Sequence, residues 1–159
     1  MFTYMKIEEF EFLKELLISG VISLTPGKNY AHAIYESNIP FRPGIYLVYS
    51  VNQAGEDKDL LYYGKAGVTN YSGKPLLNFH QLPKRLVATT PIPLNHPDYG
   101  KKKDITRASL WPWLVENNFI HGIKIYWFVT EWPNQNPNDF ENKIKLQLKR
   151  KYPKWQSSI

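Results

Sequence analysis

The sequence predicts an α+β fold in which a small antiparallel sheet of three strands is flanked by helices. Two observations support this class. Three segments rich in β-branched and aromatic residues have the composition of strands, and segments with helical apolar spacing lie before, between and after them. The resulting order is helix, strand, strand, helix, helix, strand, helix, which suits helices packed on a small antiparallel sheet.

The first predicted helix covers residues 7–17, where apolar side chains recur at the spacing of one helical face. Gly20 is expected to end it. The prolines and polar residues of segment 23–41 predict an irregular lead-in, with a short strand or helix near residues 31–35. We therefore expect an N-terminal extension that ends at residue 41.

The first two strands are predicted over residues 45–49 and 60–63. They flank a polar, glycine-containing segment at 52–57, so the three together predict a β-hairpin. The third strand is predicted over residues 123–130.

Three further helices complete the prediction. Pro83 is expected at the first helical position of one of them, and Asp104 suits the N-cap of the next. The last helix is expected to begin near residue 138 and to end before Pro153.

Length and composition indicate one packed domain. The chain has 159 residues, of which 43% are hydrophobic and 15% aromatic. It contains no cysteine, which excludes disulfides and thiolate metal sites and is compatible with a reducing cytoplasm. No apolar run approaches the ~20 residues that span a bilayer, and no export signal is recognisable at the N-terminus. We expect a soluble cytoplasmic protein without membrane association.

Charge favours a polyanionic partner. The formal net charge is +6, and the calculated isoelectric point is near 9.4. A basic triplet, Lys101, Lys102 and Lys103, lies in a polar connection and is a candidate for nucleic-acid binding. A second basic cluster lies near the C-terminus. The alternatives are a solvated loop for the triplet and complementation of a helix dipole for the cluster.

The hairpin carries two tyrosine tripeptides. Gly44-Ile45-Tyr46 opens its first strand, and Tyr62-Tyr63-Gly64 closes the second, followed by Lys65. Antiparallel pairing would bring the two phenols within a few ångströms of each other. With these motifs the chain resembles the GIY-YIG endonuclease family, in which such tripeptides lie side by side. Tyr63 replaces the usual isoleucine, and both residue types suit a strand.

The last predicted helix extends the resemblance. Glu141 in its first turn matches the family's glutamate, which implies that it holds Mg²⁺ or Mn²⁺. One carboxylate is chemically sufficient when water and a substrate phosphate complete the shell. The alternative is an acid favoured by the helix dipole. Gln156 lies where the family has asparagine, and it is expected to contact the nucleic acid or the core.

Arg85 is the candidate for the family's arginine, whose guanidinium would bind the scissile phosphate. Its distance from Gly64 exceeds the family's interval, so residues 66–82 are expected to hold an insertion, and Arg107 is the alternative. Thr89 lies where the family often has histidine or tyrosine. His80 could supply the missing group, although a lone loop histidine is more often an ordinary surface residue.

The resemblance implies a metal-dependent endonuclease, a compact restriction-type enzyme that occupies residues 42–159. Its substrate would be DNA, with RNA as an alternative. The insertions at 66–82 and 90–118 would contact the target, and double-strand cleavage would require a homodimer or two encounters. Tyr46 would accept a proton from the attacking water after acidification by the metal or by Lys65, and Tyr62 would orient that water. These two roles are interchangeable.

This scheme predicts that the phenol oxygens of Tyr46 and Tyr62 converge with Arg85 and Glu141 in one basic concavity. Glu141 on the face opposite Tyr46 would end the nuclease interpretation. Two other functions are compatible with the sequence. One is a nucleic-acid-binding module with the same fold and little or no catalysis. The other is a protein-interaction domain whose five tryptophans form an interface.

Overall fold

The structure is a computed structural model, and it describes residues 5–67, 81–131, 133–149, 151, 153 and 155. Its main sheet has four antiparallel strands in the order β1-β6-β2-β3. They are β1 Ser19–Leu24, β2 Gly44–Val51, β3 Asp57–Ala66 and β6 Gly122–Val129. A second sheet pairs β4 Thr89–Pro91 with β5 Asp104–Thr106.

Four α-helices and two short 3₁₀ helices accompany the sheets. The α-helices are α1 Tyr30–Glu36, α2 Leu82–Leu86, α3 Arg107–Asn117 and α4 Pro137–Gln147, and the 3₁₀ helices are Ile7–Glu9 and Glu11–Glu15. Among the described residues, no helix has the length and apolar character needed to cross a membrane. The α+β class, the β2–β3 hairpin and the strand β6 are confirmed.

The prediction of a three-stranded sheet is wrong, because β1 adds a fourth strand. β1 pairs along its whole length with β6, and Gly20 lies opposite Trp127. A β-carbon at Gly20 would lie 2.7 Å from Cε2 of the Trp127 indole, so the close approach of the two strands requires glycine. Glycine and serine at the start of β1 are poor strand formers, and the partner strand supplies the pairing that local sequence does not indicate.

The predicted α-helix over residues 7–17 is also wrong. The segment forms two 3₁₀ helices that bury Phe10, Leu13 and Leu16, whereas Leu17 is 90% exposed. A spacing of three residues places side chains on one face of a 3₁₀ helix. The apolar positions of the segment fit that period, and the α-helical assignment placed Leu17 on the buried face incorrectly.

Two helix starts differ slightly from the prediction. Thr106 caps α3 by accepting a hydrogen bond from the Ser109 amide, and Asp104 lies in β5 instead. α4 begins at Pro137, where the missing N–H of proline costs no helical hydrogen bond, and Asn136 is its cap.

The main sheet is covered on both faces. One side, which we call the tyrosine face, carries Tyr46 and Val48 of β2 beneath helices α1, α2 and α3. The other side, the α4 face, carries Ile45, Leu47 and Tyr49 beneath α4 and the 3₁₀ helices. β2 is therefore buried on both sides, and its residues alternate between two apolar cores.

Three of the tryptophans belong to the tyrosine-face core. Trp111, Trp127 and Trp155 are at most 9% exposed, and Trp113 is half-buried against the same core. Trp132 lies outside the described residues. Burial of Trp111, Trp127 and Trp155 in the core argues against an interface formed by all five tryptophans.

A β-bulge in β3 sets the position of Tyr62. Val48 pairs with Tyr62 whereas Tyr49 pairs with Leu60, so Leu61 is the extra residue. As a result Leu61 and Tyr62 both pack on the tyrosine face. The Leu61 carbonyl accepts a hydrogen bond of 2.9 Å from the Trp155 amide, which ties the C-terminal segment to the bulge.

We expect Ile144→Ala to lower the free energy of unfolding by about 2–5 kcal/mol, because it opens a cavity in the α4-face core. Ile144 is fully buried. The matched control is Leu146→Ala on the same helix, where the side chain is 77% exposed and the change should be within about 0.5 kcal/mol. Urea denaturation of both variants tests this. Equal destabilisation would show that α4 does not pack as described.

Candidate functional site

Tyr46 and Tyr62 form a stacked pair on the tyrosine face. Their ring centroids are 6.0 Å apart with an interplanar angle of 24°, and the Trp111 ring packs against both. Gly64 pairs with Tyr46 across the hairpin. A β-carbon at Gly64 would lie 2.5 Å from the Tyr46 phenol oxygen, so the glycine of the second tripeptide makes room for that phenol. The close approach of the two tripeptides is therefore confirmed.

The Tyr46 phenol is held in its neutral form. The side chain is fully buried, and its oxygen has no hydrogen-bond partner among the described residues. Burial raises the pKa of Tyr46 above its ordinary value, the neighbouring Tyr62 raises it further, and the charges of Arg107 and Arg85 offset part of the rise. A tyrosine that accepts a proton would need a lowered pKa, so the raised pKa of Tyr46 opposes that role. Tyr62 is only half-buried, so it is the more accessible phenol of the pair.

Two arginines act on the Tyr46 phenol, and their roles differ. Arg107 is 4% exposed, and its Nη1 donates to the carbonyl oxygens of Ala88 and Thr89 at 3.2 Å and to that of Arg85 at 3.4 Å. Arg107 therefore holds the turn between α2 and β4 and is committed to the fold. Arg85, on α2, is half-buried. The Nε atoms of both arginines are buried without a partner among the described residues, so the greater exposure of Arg85 is what distinguishes it. Arg85 is thus the better placed of the two for an external anion.

A second polar group lies on the α4 face at the end of β3. The Lys65 ammonium lies 3.8 Å from Oε1 of Glu141 and donates a short hydrogen bond to Oδ1 of Asn138. The Lys65 and Glu141 side chains are 35% and 23% exposed, so solvent reaches both. Within the described ranges no group of three or more histidine or acidic side chains forms a metal site. Glu141 is the carboxylate that lies beside the Lys65 ammonium in this polar group.

The prediction that all four groups share one concavity is wrong. Tyr46, Tyr62 and Arg85 belong to the tyrosine face, whereas α4 carries Glu141 on the opposite face. Lys65 pairs with Ile45, and both point to the α4 face, because neighbouring strand residues alternate in direction. Sequence reasoning identified the helix that carries Glu141 but not the face against which that helix packs.

The helices that carry the two groups nevertheless begin near the same end of the hairpin. Gly44 starts β2 opposite Ala66, the last residue of β3. The Leu82 side chain at the start of α2 lies 2.9 Å from an ideal β-carbon at Gly44, and the Pro137 ring at the start of α4 lies 3.3 Å from one at Gly67. The helices that carry Arg85 and Glu141 therefore both begin at this hairpin end, on opposite sides of it.

The structure describes some of the residues predicted to contact nucleic acid, and others lie outside the described residues. The basic triplet Lys101, Lys102 and Lys103 is exposed, and Lys102 lies 3.7 Å from the Asp98 carboxylate. His80 and Gln156 lie outside the described residues. Thr89, which lies where the family often has histidine or tyrosine, is exposed in β4. It does not join the tyrosine pair.

Sequence reasoning did not identify Trp111 or Asn138 as parts of these groups. Trp111 is far along the chain from both tyrosine motifs, and only the packing of α3 brings it to the pair. Asn138 lies three residues before Glu141, a spacing that places two side chains on one helical face. That spacing in the sequence could have identified Asn138 as a neighbour of Glu141.

Comparisons of the chain with protein-family models, with curated proteins and with solved structures found no match. The relation to the GIY-YIG family therefore depends on the motifs and their geometry alone.

We expect Tyr46→Phe to leave the free energy of unfolding unchanged or to raise it by about 1 kcal/mol, because the variant removes a buried oxygen without a partner. The matched control is Tyr49→Phe on the same strand. Tyr49 is equally buried, but its phenol donates to the Met5 carbonyl, so its loss should cost about 1 kcal/mol. Urea denaturation measures both. Equal losses in the two variants would show that the Tyr46 oxygen is also paired.

Proposed function

We propose that this chain is a metal-dependent DNA endonuclease related to the GIY-YIG family, with RNA as the alternative substrate. The observation that carries the proposal is the stacked tyrosine pair over Gly64, beside the half-buried Arg85, whose charge acts on the Tyr46 phenol. Strands β2 and β3, which carry the motifs, would form the family's three-stranded sheet together with β6. Strand β1 would be an addition at the edge of that sheet. The absence of cysteine accords with action in the cytoplasm.

In this proposal the substrate phosphate binds at the hairpin end where α2 and α4 begin. Arg85 would bind its oxygens and stabilise the charge that develops in the transition state. Tyr62, the accessible phenol, would lose its own proton to solvent, orient the attacking water and take a proton from it, while the leaving oxygen would take a proton from solvent. The buried Tyr46 would stay neutral and position Tyr62, so the proton-acceptor role expected of Tyr46 passes to Tyr62.

The oxygen atoms near Lys65 fit a hard divalent cation. Mg²⁺ is commonly bound by one or two protein oxygens together with water and substrate phosphate. The Glu141 carboxylate and the Asn138 amide oxygen both lie beside one cation already, the Lys65 ammonium. Glu141 and Asn138 would hold Mg²⁺ or Mn²⁺, which when bound would supply charge neutralisation at the phosphate. Lys65 would then be free to contact the substrate.

The second candidate is a nucleic-acid-binding module with little or no catalysis. Two observations favour it. The separation of Glu141 from the tyrosine face is the outcome named above as the end of the nuclease interpretation with a single concavity, and the raised pKa of Tyr46 opposes its action as a proton acceptor. The nuclease proposal therefore requires that one phosphate reach both groups across the hairpin end. Cleavage of supercoiled plasmid by the purified chain in Mg²⁺, compared with the same reaction in a chelator, decides between the two candidates. Cleavage of both strands would further require a homodimer or two successive encounters.

We expect Glu141→Gln to abolish nearly all Mg²⁺-dependent cleavage while DNA binding and the melting temperature stay unchanged. Glutamine keeps the size and helical preference of glutamate but removes the charge that would hold the metal. The control is Asp139→Asn, an exposed acid in the same helical turn, which should cleave at the wild-type rate. If folded Glu141→Gln cleaves as fast as wild type, the metal is bound elsewhere.

Arg85→Ala should slow cleavage by about 10²–10³-fold, the usual cost of losing one donor to a developing charge. Lys84→Ala, on the exposed side of the same helix, should change the rate far less. The measurement is the single-turnover rate on the same plasmid. Equal rates for the two variants would show that the phosphate does not bind at Arg85.

Affinity for DNA should fall steeply as salt rises, because neutralised phosphates release their counterions. Replacement of Lys101, Lys102 and Lys103 by glutamine should flatten the slope of log affinity against log salt, by up to about 0.9 for each phosphate that a lysine neutralised. Lys58→Gln, at the far end of the hairpin, is the control and should leave the slope unchanged. A slope that the triple variant does not alter would assign the triplet to a solvated loop.

A further inference from the structure

A polar groove of about 480 Å³ lies between the second sheet and α3. Its lining combines an aromatic pair with charged and hydroxyl side chains, among them His96, Asp98, Lys102, Asp104, Ser109 and Trp113. The groove belongs to the segment expected to be an insertion, and none of these residues is part of the tyrosine pair or of the Lys65–Glu141 group. Its volume is sufficient for a molecule of drug-like size or smaller.

The aromatic wall of the groove is a preformed stacking surface. The His96 and Trp113 ring centroids are 4.6 Å apart, with an interplanar angle of 55°. The Asp98 amide donates a 3.0 Å hydrogen bond to Nδ1 of His96, which fixes the imidazole and leaves its proton on Nε2 in the neutral ring. A flat ligand would therefore meet a half-buried indole held in place by the core and an imidazole held by the backbone.

The polar wall holds two carboxylates. Asp98 lies 3.7 Å from the ammonium of Lys102, which also lines the groove, whereas Asp104 forms no ion pair within the described part of the chain and is the acceptor open to a ligand. Carboxylates accept hydrogen bonds from amino groups and repel carbonyl oxygens. The lysine triplet begins three residues after Asp98 and gives the rim positive charge suited to phosphate. A ligand of this groove should thus be flat, amino-bearing and joined to phosphate.

We infer that this groove binds an unpaired nucleobase that carries an exocyclic amine, and that it reads the base next to the cleavage site. The inference rests on the proposed function for its substrate class, DNA. Arg107 supplies the connection. Its Nη1 donates to the carbonyl oxygen of Thr89, which lines the groove, at 3.2 Å and to that of Arg85 at 3.4 Å. A strand whose phosphate binds at Arg85 would therefore lie close to the groove.

The chemistry favours cytosine over thymine. Cytosine presents its N4 amine to an aspartate, and thymine presents the O4 carbonyl in the same position. Stacking on Trp113 would contribute to both bases alike, because every base has a π-face. The acidic side chains thus determine the preference, and the aromatic pair contributes affinity.

The experiment compares binding of oligo(dC) and oligo(dT) of equal length, in a chelator and at mildly alkaline pH where cytosine is unprotonated. The two strands carry the same phosphate charge, so their affinity ratio reports base contacts alone. We expect wild type to bind oligo(dC) about tenfold more tightly. Asp104→Asn should bring the ratio close to one, because an amide can turn to donate to O4 of thymine. Asp104 is exposed, so this change should not affect folding.

Asp139→Asn on α4 is the matched control, since it removes the same charge away from the groove and should keep the preference. Trp113→Leu should weaken both oligonucleotides equally, with a melting curve to confirm the fold. Equal affinities of wild type for the two strands, or a preference that Asp104→Asn retains, would overturn the inference.

These outcomes are separable from those of the nuclease proposal. Mg²⁺-dependent plasmid cleavage without a base preference would overturn the groove assignment alone. A preference that depends on Asp104, without any cleavage, would support the groove and favour the binding-module function.

Discussion

The burial of β2 on both faces is the constraint on which the rest of the structure depends. Seven consecutive residues of this strand are buried, so each side chain must enter one of two separate cores. Helices α1, α2 and α3 cover one core, and α4 with the 3₁₀ helices covers the other. Because side chains alternate along a strand, this arrangement determines which functional groups are neighbours. It places Tyr46 with Arg85 and assigns Lys65 to Glu141.

The β-bulge at Leu61 and the glycine at position 64 together accommodate the tyrosine pair on this sheet. The bulge at Leu61 turns Tyr62 to the tyrosine face, and Gly64 leaves space for the Tyr46 phenol. The pair retains a buried phenol oxygen without a partner among the described residues, which costs stability. A chain selected only for stability would favour phenylalanine there.

The elements that the sequence predicted well are those set by local chemistry. The hairpin follows from a polar, glycine-containing turn between two aromatic segments, and β6 follows from its unbroken run of strand-forming residues. The motifs also predicted that the tyrosines would be neighbours. Each of these features depends on residues close together in the chain or on simple pairing.

The features that were not predicted depend on distant contacts. β1 is a strand only because β6 pairs with it, and its serine and glycine give no local signal. The 3₁₀ helices differ from the predicted α-helix by hydrogen bonds that join residues three apart, as from the Leu13 amide to the Phe10 carbonyl, and the packing of Phe10, Leu13 and Leu16 against the sheet accompanies that period. The face occupied by Glu141 is likewise a property of helix packing, since periodicity shows which side of α4 is apolar but not which core it enters.

The pairing of β1 with β6 also has a consequence for biosynthesis. Ser19 lies beside Phe128, so roughly a hundred residues separate the two strands along the chain. At ordinary translation rates of ~5–20 residues per second, β1 emerges about 5–20 s before its partner exists. During that interval Ile22 and Leu24, which are buried in the folded protein, have no sheet to join. The growing chain therefore exposes these apolar side chains to solvent for seconds before β6 can cover them.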